Sequence, residues 1–465
     1  QASGHETRRR PVGIPPSKGH QHVTSERVSK IALVLAGGGL TGAVYEIGAL
    51  RAINDLLQDR TVNDFDIFVG TSAGAIVGSL LANGMSPIAA MDALAGRHVE
   101  VRALWAGDLF RPNYGEILGR VRRFPATVQA ALRHYSRNVN DMNLWDFIWT
   151  LIEVLPSGLY DGTALEGYMA AALNRPGLSN DFRALARELY IIATDLDTGQ
   201  RSVFGNDQNS HVPISLAVAA SSAVPLLYKP VRIGQRDYID GGMRGNASID
   251  LAIEHGAKLI VCINPLVPLN NQRKRGVPML GPDGTFISDK GMQAIGSQVI
   301  RIMMRSGLNY HIKTLRRRHP DVDIILIEPR ADDYQMFFYN IMRYSARLLV
   351  AEHGYQSVTL DLADRYHEFK DILSRHDLHI SRRRVIQHLE ELTHTEEVEQ
   401  AAEPVAAAPS SANPIVSQLE QVLGSLSVTS SANPIISELE QALSSLDDTL
   451  KTLHHNNQPP PGADH

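Results

Sequence analysis

Gly70-Thr71-Ser72-Ala73-Gly74 follows the apolar run Phe65-Asp66-Ile67-Phe68-Val69. A serine between two glycines, where a strand turns into a helix, has the form of a nucleophile elbow. The sharp turn lifts the hydroxyl clear of the backbone at the tip of the strand. Gly70 and Gly74 leave out the Cβ atoms that would crowd the turn. The helix behind Ser72 aims its first N–H groups and its positive dipole end at the place where an oxyanion would form. Strings of this form also arise by chance in Gly- and Ala-rich chains, so a plain turn with a surface serine is the competing reading.

Gly37-Gly38-Gly39-Leu40-Thr41-Gly42 follows another apolar run, Ile31-Ala32-Leu33-Val34-Leu35-Ala36, and opens a helix. It satisfies the G-x-G-x-x-G pattern of dinucleotide sites. Such a site needs a carboxylate at the far end of the second strand to hold the ribose. That strand ends instead in Gly70-Thr71-Ser72, with Asp64 and Asp66 at its beginning. Adjacent parallel strands would set the glycine turn beside the serine turn, where unobstructed amides suit an oxyanion hole. A serine hydroxyl also needs a base. Asp240, in Arg236-Asp237-Tyr238-Ile239-Asp240-Gly241-Gly242, ends a short apolar strand and precedes two glycines.

In this order, the glycine loop, the G-x-S-x-G elbow and Asp240-Gly241-Gly242 resemble the patatin-like phospholipase family over roughly residues 30–264. The resemblance implies an α/β protein: a three-layer α/β/α fold with a mostly parallel central sheet. It implies a Ser–Asp dyad without histidine, Ser72 as acyl-accepting nucleophile and Asp240 as its base. The oxyanion loop would comprise Gly37, Gly38, Gly39 and Gly42, with the amides of Gly38 and Gly39, joined by Ala73, as donors. Gly70 and Gly74 would shape the elbow, and Gly241 and Gly242 the aspartate motif. Ala219-Ala220-Ser221-Ser222-Ala223-Val224-Pro225 resembles the family's A-S-x-A-x-P stretch, with Ser221 and Ser222 structural. Many members carry Arg or Lys where Thr41 stands, which weakens any carry-over of an anionic-headgroup preference.

The implied activity is hydrolysis of carboxylic esters of phospholipids or lysophospholipids through an acyl-enzyme, with no cofactor and no metal. The implied partner is a lipid substrate, met by transient contact with a membrane or lipid surface. A neutral lipase or an acyl-thioesterase would use the same dyad. A Ser–His–Asp enzyme would need His255, His311 or His353 at the site. A lipid- or protein-binding scaffold would make the C-terminal tail the working part.

The elements that must position these residues alternate along the chain. Strands are expected at 31–36, 65–69, 189–193, 231–233, 236–239, 258–263 and 323–327, and helices at 43–57 and 75–83. This βαβα succession predicts a mostly parallel sheet with helices on both faces. Residues 97–187 read as mainly helical, either a cap over one sheet end or ordinary core packing. Met303-Met304, Phe337-Phe338 and Tyr339 are expected in the core, and Arg316-Arg317-Arg318 on a solvated helix face. The expected organisation is a disordered leader (1–29), a catalytic domain (30–270), a mainly helical extension (271–393), an Ala/Glu/Pro linker (394–409) and a tail (410–465).

The tail holds a tandem repeat: Ser410-Ser411-Ala412-Asn413-Pro414-Ile415 recurs as Ser430-Ser431-Ala432-Asn433-Pro434-Ile435. Asn as N-cap and Pro at the first helical position predict two short amphipathic helices. They would need a protein partner or self-association through 410–450 to cover their apolar stripes. Their acidic charges disfavour adsorption to an anionic bilayer.

Composition sets outer bounds. The 465 residues are 43% hydrophobic and 20% charged, ordinary for a globular chain. A formal charge of -5 argues against nucleic acid as partner. Cys262 is the only cysteine, so there is no disulfide framework, and its place in an apolar strand reads as a small core filler. With no signal-like leader and no membrane-length apolar run, the sequence reads as cytoplasmic, with peripheral membrane contact left open.

Overall fold

Ile31, Leu33 and Leu35 are buried with one apolar cluster, whereas Ala32 and Val34 are buried with another. A strand with two apolar faces belongs inside a sheet covered on both sides. In the computed structural model this strand, β1 (Lys30–Leu35), lies within an eight-stranded sheet. The structure describes residues 29–98, 101–120, 155–271, 286–338, 344–384 and 386–387. The linker, the tandem repeat and the leader before residue 29 lie outside the described residues.

The remaining strands are β2 (Ile67–Thr71), β3 (Gly158–Tyr160), β4 (Glu188–Asp195), β5 (Arg201–Phe204), β6 (Leu226–Tyr228), β7 (Val231–Ile233), β8 (Arg236–Asp240), β9 (Ala257–Ile263) and β10 (Asp323–Ile327). Hydrogen-bonded neighbours run β10-β9-β1-β2-β4-β8-β7, with β5 also paired to β4. β10, β9, β1, β2 and β4 are mutually parallel, and β5, β8 and β7 are antiparallel to their neighbours. β3 and β6 form a separate parallel pair. Helices pack on both faces, completing the three layers. One face carries Gly39–Leu56, Ala73–Ala82, Ile214–Ser221 and Arg347–Asp364, and the other Ile249–Glu254 and the end of Gly291–Arg318.

Two registers bring the distant motifs together. Leu35 is opposite Gly70 in the parallel β1–β2 pair, so the glycine loop and the serine turn leave the sheet side by side. On β4, Ile192 pairs with Thr71 of β2 and with Val203 of β5, and the next residue, Ala193, pairs with Asp240 of β8 and Ser202 of β5. β5 therefore occupies one edge of β4. β2 and β8 meet end to end along the other, which delivers Ser72 and Asp240 to one point.

The helix Gly39–Leu56 crosses Arg347–Asp364 backbone to backbone. A Cβ on Gly48 would lie 2.0 Å from the Ala351 carbonyl oxygen, and one on Gly354 would lie 2.7 Å from that of Tyr45. The same helix buries Glu46 completely, and neither carboxyl oxygen has a hydrogen-bond partner among the described residues.

Several expectations are corrected. Met303 is 67% exposed rather than in the core, because it projects from the outer side of the helix Gly291–Arg318. Phe337 is buried as expected, and Tyr339 lies outside the described residues. Residues 97–187 include the strand β3, and their part 121–154 lies outside the described residues.

Burial drives the Glu46 pKa well above its usual value of 4.5. The folded state keeps the proton that the unfolded chain loses, so stability declines as pH rises from about 4.5 towards the folded pKa. Glu46→Gln is expected to match the wild type in urea unfolding at pH 4 and to be more stable at pH 8. An equal difference at both pH values would contradict a protonated buried carboxyl.

Candidate active site

Ser72 ends the straight path of β2 and precedes the helix Ala73–Ala82. Its backbone turns at φ 53° and ψ −117°, in the left-handed half of conformational space. A non-glycine residue held there costs roughly 1–3 kcal/mol and persists only where its surroundings enforce it. The surroundings do so. Ser72 N–H donates to Ser221 Oγ at 2.8 Å, and Ser221 Oγ donates on to the Ile192 carbonyl at 2.6 Å. Ser222 Oγ donates to the Ser72 carbonyl at 3.3 Å. Gly70 and Gly74 are glycine because there is no room for more. A Cβ at Gly70 would fall 2.4 Å from the Gly74 carbonyl oxygen, and one at Gly74 would fall 2.3 Å from that of Leu35.

Asp240 is held by the same segment. Its N–H donates to the Ala223 carbonyl at 2.9 Å, and its own carbonyl accepts from Thr194 Oγ1 at 3.1 Å. Gly242 N–H donates to Asp240 Oδ1 at 2.7 Å. Gly241 admits the chain past β4, since a Cβ there would stand 2.3 Å from the Ile192 carbonyl oxygen. Ser221, Ser222 and Ala223 thus hold both Ser72 and Asp240. Both residues are buried, and the Ser72 side chain lies close enough to the Asp240 carboxylate to favour its ionised form. Burial pushes the Asp240 pKa up to about 6, against the opposing pull of the Gly242 N–H bond and the nearby Ser72 side chain.

The glycine loop lies against the serine, with a Cβ at Gly37 only 3.3 Å from Ser72 Cβ. Its four glycines are not equivalent. Gly37 N–H is engaged by Asn246, through Oδ1 at 3.1 Å and the carbonyl at 3.3 Å. Gly42 N–H donates to the Gly38 carbonyl at 3.0 Å. The amides of Gly38, Gly39 and Ala73 meet no acceptor among the described residues. They stand at the N-termini of the two helices that start at the site, where helix geometry leaves donors open and the dipole favours negative charge. Gly37 and Gly42 are needed for space, because a Cβ at Gly37 would be 2.9 Å from Asn246 Oδ1 and one at Gly42 would be 3.0 Å from Pro265 Cγ.

Sequence reasoning missed Asn246 and Asn264. Asn246 Nδ2 donates to Asn264 Oδ1 at 2.8 Å, and Asn264 Nδ2 donates to Glu328 Oε1 at 2.7 Å. This buried chain pins the first loop to β9 and β10. The Gly-rich run after Asp240, ending in Asn246, was the available signal. Among the described residues, no histidine of the triad alternative is hydrogen-bonded to Ser72 or Asp240: His255 stacks on Tyr190, His353 bonds Asp333 at 2.6 Å, and His311, which lines the cavity beside the aspartate motif, lies 3.4 Å from Asp250. Beside the aspartate motif, a cavity of about 530 Å³ is bounded by Gly241, Gly242, Arg244, Asn246, Met303 and Tyr310.

Residues 33–253 match the family model described as Patatin-like phospholipase. A protein of Invertebrate iridescent virus 6 named "Probable lipid hydrolase 463L" is 22% identical over 231 residues, which are 49% of this chain and 64% of that protein. The chain thus spans less than two thirds of that relative. The uncharacterized protein YqhO of Bacillus subtilis is 25% identical over 253 residues, 52% of this chain and 73% of its own length. Among solved structures, VipD from Legionella pneumophila overlaps with a TM-score of 0.35 at 16% identity, covering 72% of this chain and 67% of that one.

Ser221→Ala removes the acceptor for the strained Ser72 amide and the donor to Ile192. Leaving such buried groups unpaired costs about 1–3 kcal/mol each. Urea unfolding of this variant is expected to shift to lower midpoint by at least that amount with an unchanged slope. A midpoint equal to the wild type would show that Ser221 does not brace the turn.

Proposed function

We propose that this chain, patatin-like over residues 33–253, hydrolyses carboxylic esters of phospholipids or lysophospholipids through an acyl-enzyme on Ser72. The observation that carries the reading is the buried Ser72–Asp240 pair beside three open amides. The Asp240 carboxylate accepts the Ser72 proton as Oγ bonds to the substrate carbonyl carbon. The oxygen of that carbonyl takes the negative charge, and the amides of Gly38, Gly39 and Ala73 hold it. Collapse breaks the ester C–O bond, and the proton on Asp240 passes to the departing alkoxide. Water then attacks the acyl-enzyme and gives its proton to Asp240. The tetrahedral intermediate expels Ser72 Oγ, which recovers the proton, and the fatty acid leaves.

A carboxylate is a weak base for a serine hydroxyl, and two features reduce the mismatch. Burial brings Asp240 to about 6, closer to the hydroxyl than an exposed aspartate. The oxyanion donors lower the energy of the state the proton transfer leads to, each by about 3–4 kcal/mol. Thr41, at the position where many members carry a cation, is buried, which argues against headgroup contact from that residue.

Ser72→Ala is expected to abolish release of fatty acid from phosphatidylcholine and lysophosphatidylcholine, with the fold retained by circular dichroism. Asp240→Asn should lower kcat by about 10²–10⁴-fold. Because the ionised carboxylate is the active form, kcat/KM should rise with pH through a midpoint near 6 and level off above it. Full activity in Ser72→Ala, or a profile flat between pH 5 and 8, would overturn the assignment.

A further inference from the structure

The helix Gly291–Arg318 is apolar on two opposite sides. Arg301, Leu308, Ile312 and Leu315 are buried against the body of the protein. On the opposite stripe, at steps of three, four or seven residues, stand Met292, Ile295, Val299, Met303 and Tyr310. Met292 is 87% exposed, Met303 67% and Tyr310 76%, with Ile295 and Val299 close to half exposed. Single exposed apolar side chains are ordinary. A continuous row along five turns of one helix marks a surface that has a partner.

Charge identifies the partner's chemistry. The helix carries Arg301, Arg305, Lys313, Arg316, Arg317 and Arg318 and no Asp or Glu, in a chain of net charge -5. Arg301 is buried against backbone carbonyls, Arg305 pairs with Glu328, and Arg316 bonds the Ile324 carbonyl. Lys313, Arg317 and Arg318 have no carboxylate partner among the described residues, and Lys313 and Arg317 extend the apolar stripe. An exposed apolar row running into unpaired cations is the pattern of a helix lying in the interface of an anionic bilayer. The position fits as well. Met303 and Tyr310 border the cavity whose other wall is Gly241 and Gly242, directly after Asp240.

We propose that the outer face of Gly291–Arg318 docks on an anionic phospholipid surface and presents to it the rim of the cavity beside Gly241 and Gly242. This inference rests on the lipid-hydrolase reading for the nature of the partner. The apolar row enters the acyl boundary, and Lys313, Arg317 and Arg318 meet the phosphate headgroups.

The test uses the full chain and vesicles of pure phosphatidylcholine or of phosphatidylcholine with about one third phosphatidylserine. The wild type should co-sediment with the mixed vesicles far more than with the neutral ones. Met292→Gln/Ile295→Gln/Val299→Gln should weaken binding to mixed vesicles about tenfold or more. Lys313→Gln/Arg317→Gln should remove about tenfold of the preference for mixed over neutral vesicles. Both variants should hydrolyse a water-soluble butyrate ester at the wild-type rate. A wild type that cleaves the soluble ester but ignores vesicles overturns the docking face and leaves the hydrolase reading intact. A wild type inactive on every ester that still binds through this helix does the reverse. Equal vesicle binding by wild type and triple variant, or a wild-type dimer that the triple variant dissociates, would also overturn the proposal, the latter in favour of a second copy on this face.

Discussion

Three consecutive residues, Ser221, Ser222 and Ala223, hold the site in one piece. Two hydroxyls clamp the peptide groups on either side of Ser72, and the next carbonyl takes the amide of Asp240. Without that bridge, the left-handed backbone of Ser72 would lose two of the hydrogen bonds that offset its cost. The bridge is anchored by the hydrogen bond from Ser221 to Ile192, a residue of β4 that also pairs with β2. Sheet register, strained turn and carboxylate position are therefore a single constraint rather than three.

Electrostatics follows from the same placement. The end-to-end meeting of β2 and β8 buries the carboxylate beside the hydroxyl, and burial raises its affinity for a proton. Two helix N-termini start at this point, so the open amides of Gly38, Gly39 and Ala73 need no side chain to direct them. Asn246 keeps the first loop in place by occupying the Gly37 amide, which leaves that N–H with no free valence toward the site. One glycine loop thus divides its work between packing and open N–H groups.

Much of this was legible in the sequence, for reasons that differ by element. β1, β2, β4, β9 and β10 announce themselves because strands buried on both faces are uninterrupted apolar runs. The elbow and the Asp240 motif show as glycines at fixed offsets from a polar residue. β3, β5 and β6 did not show: Gly158–Tyr160 and Leu226–Tyr228 are too short for any period, and Arg201–Phe204 lies between polar turns. What occupies Gly37 N–H and what closes in Gly42 was also hidden, since Asn246 and Pro265 are remote in sequence. Met303 misled for a different reason. A helix with apolar residues on two sides looks like a core helix from its composition, and only its packing shows that one side is bare.

The central claim is that Ser72 is made nucleophilic by Asp240. The most direct measurement is peptide mapping by mass spectrometry after brief exposure to a fluorophosphonate. The account predicts a single phosphonyl adduct on Ser72 in the wild type and slow or absent labelling in Asp240→Asn. A folded wild type that takes no adduct, carries it on another serine, or labels equally fast without the carboxylate would contradict it.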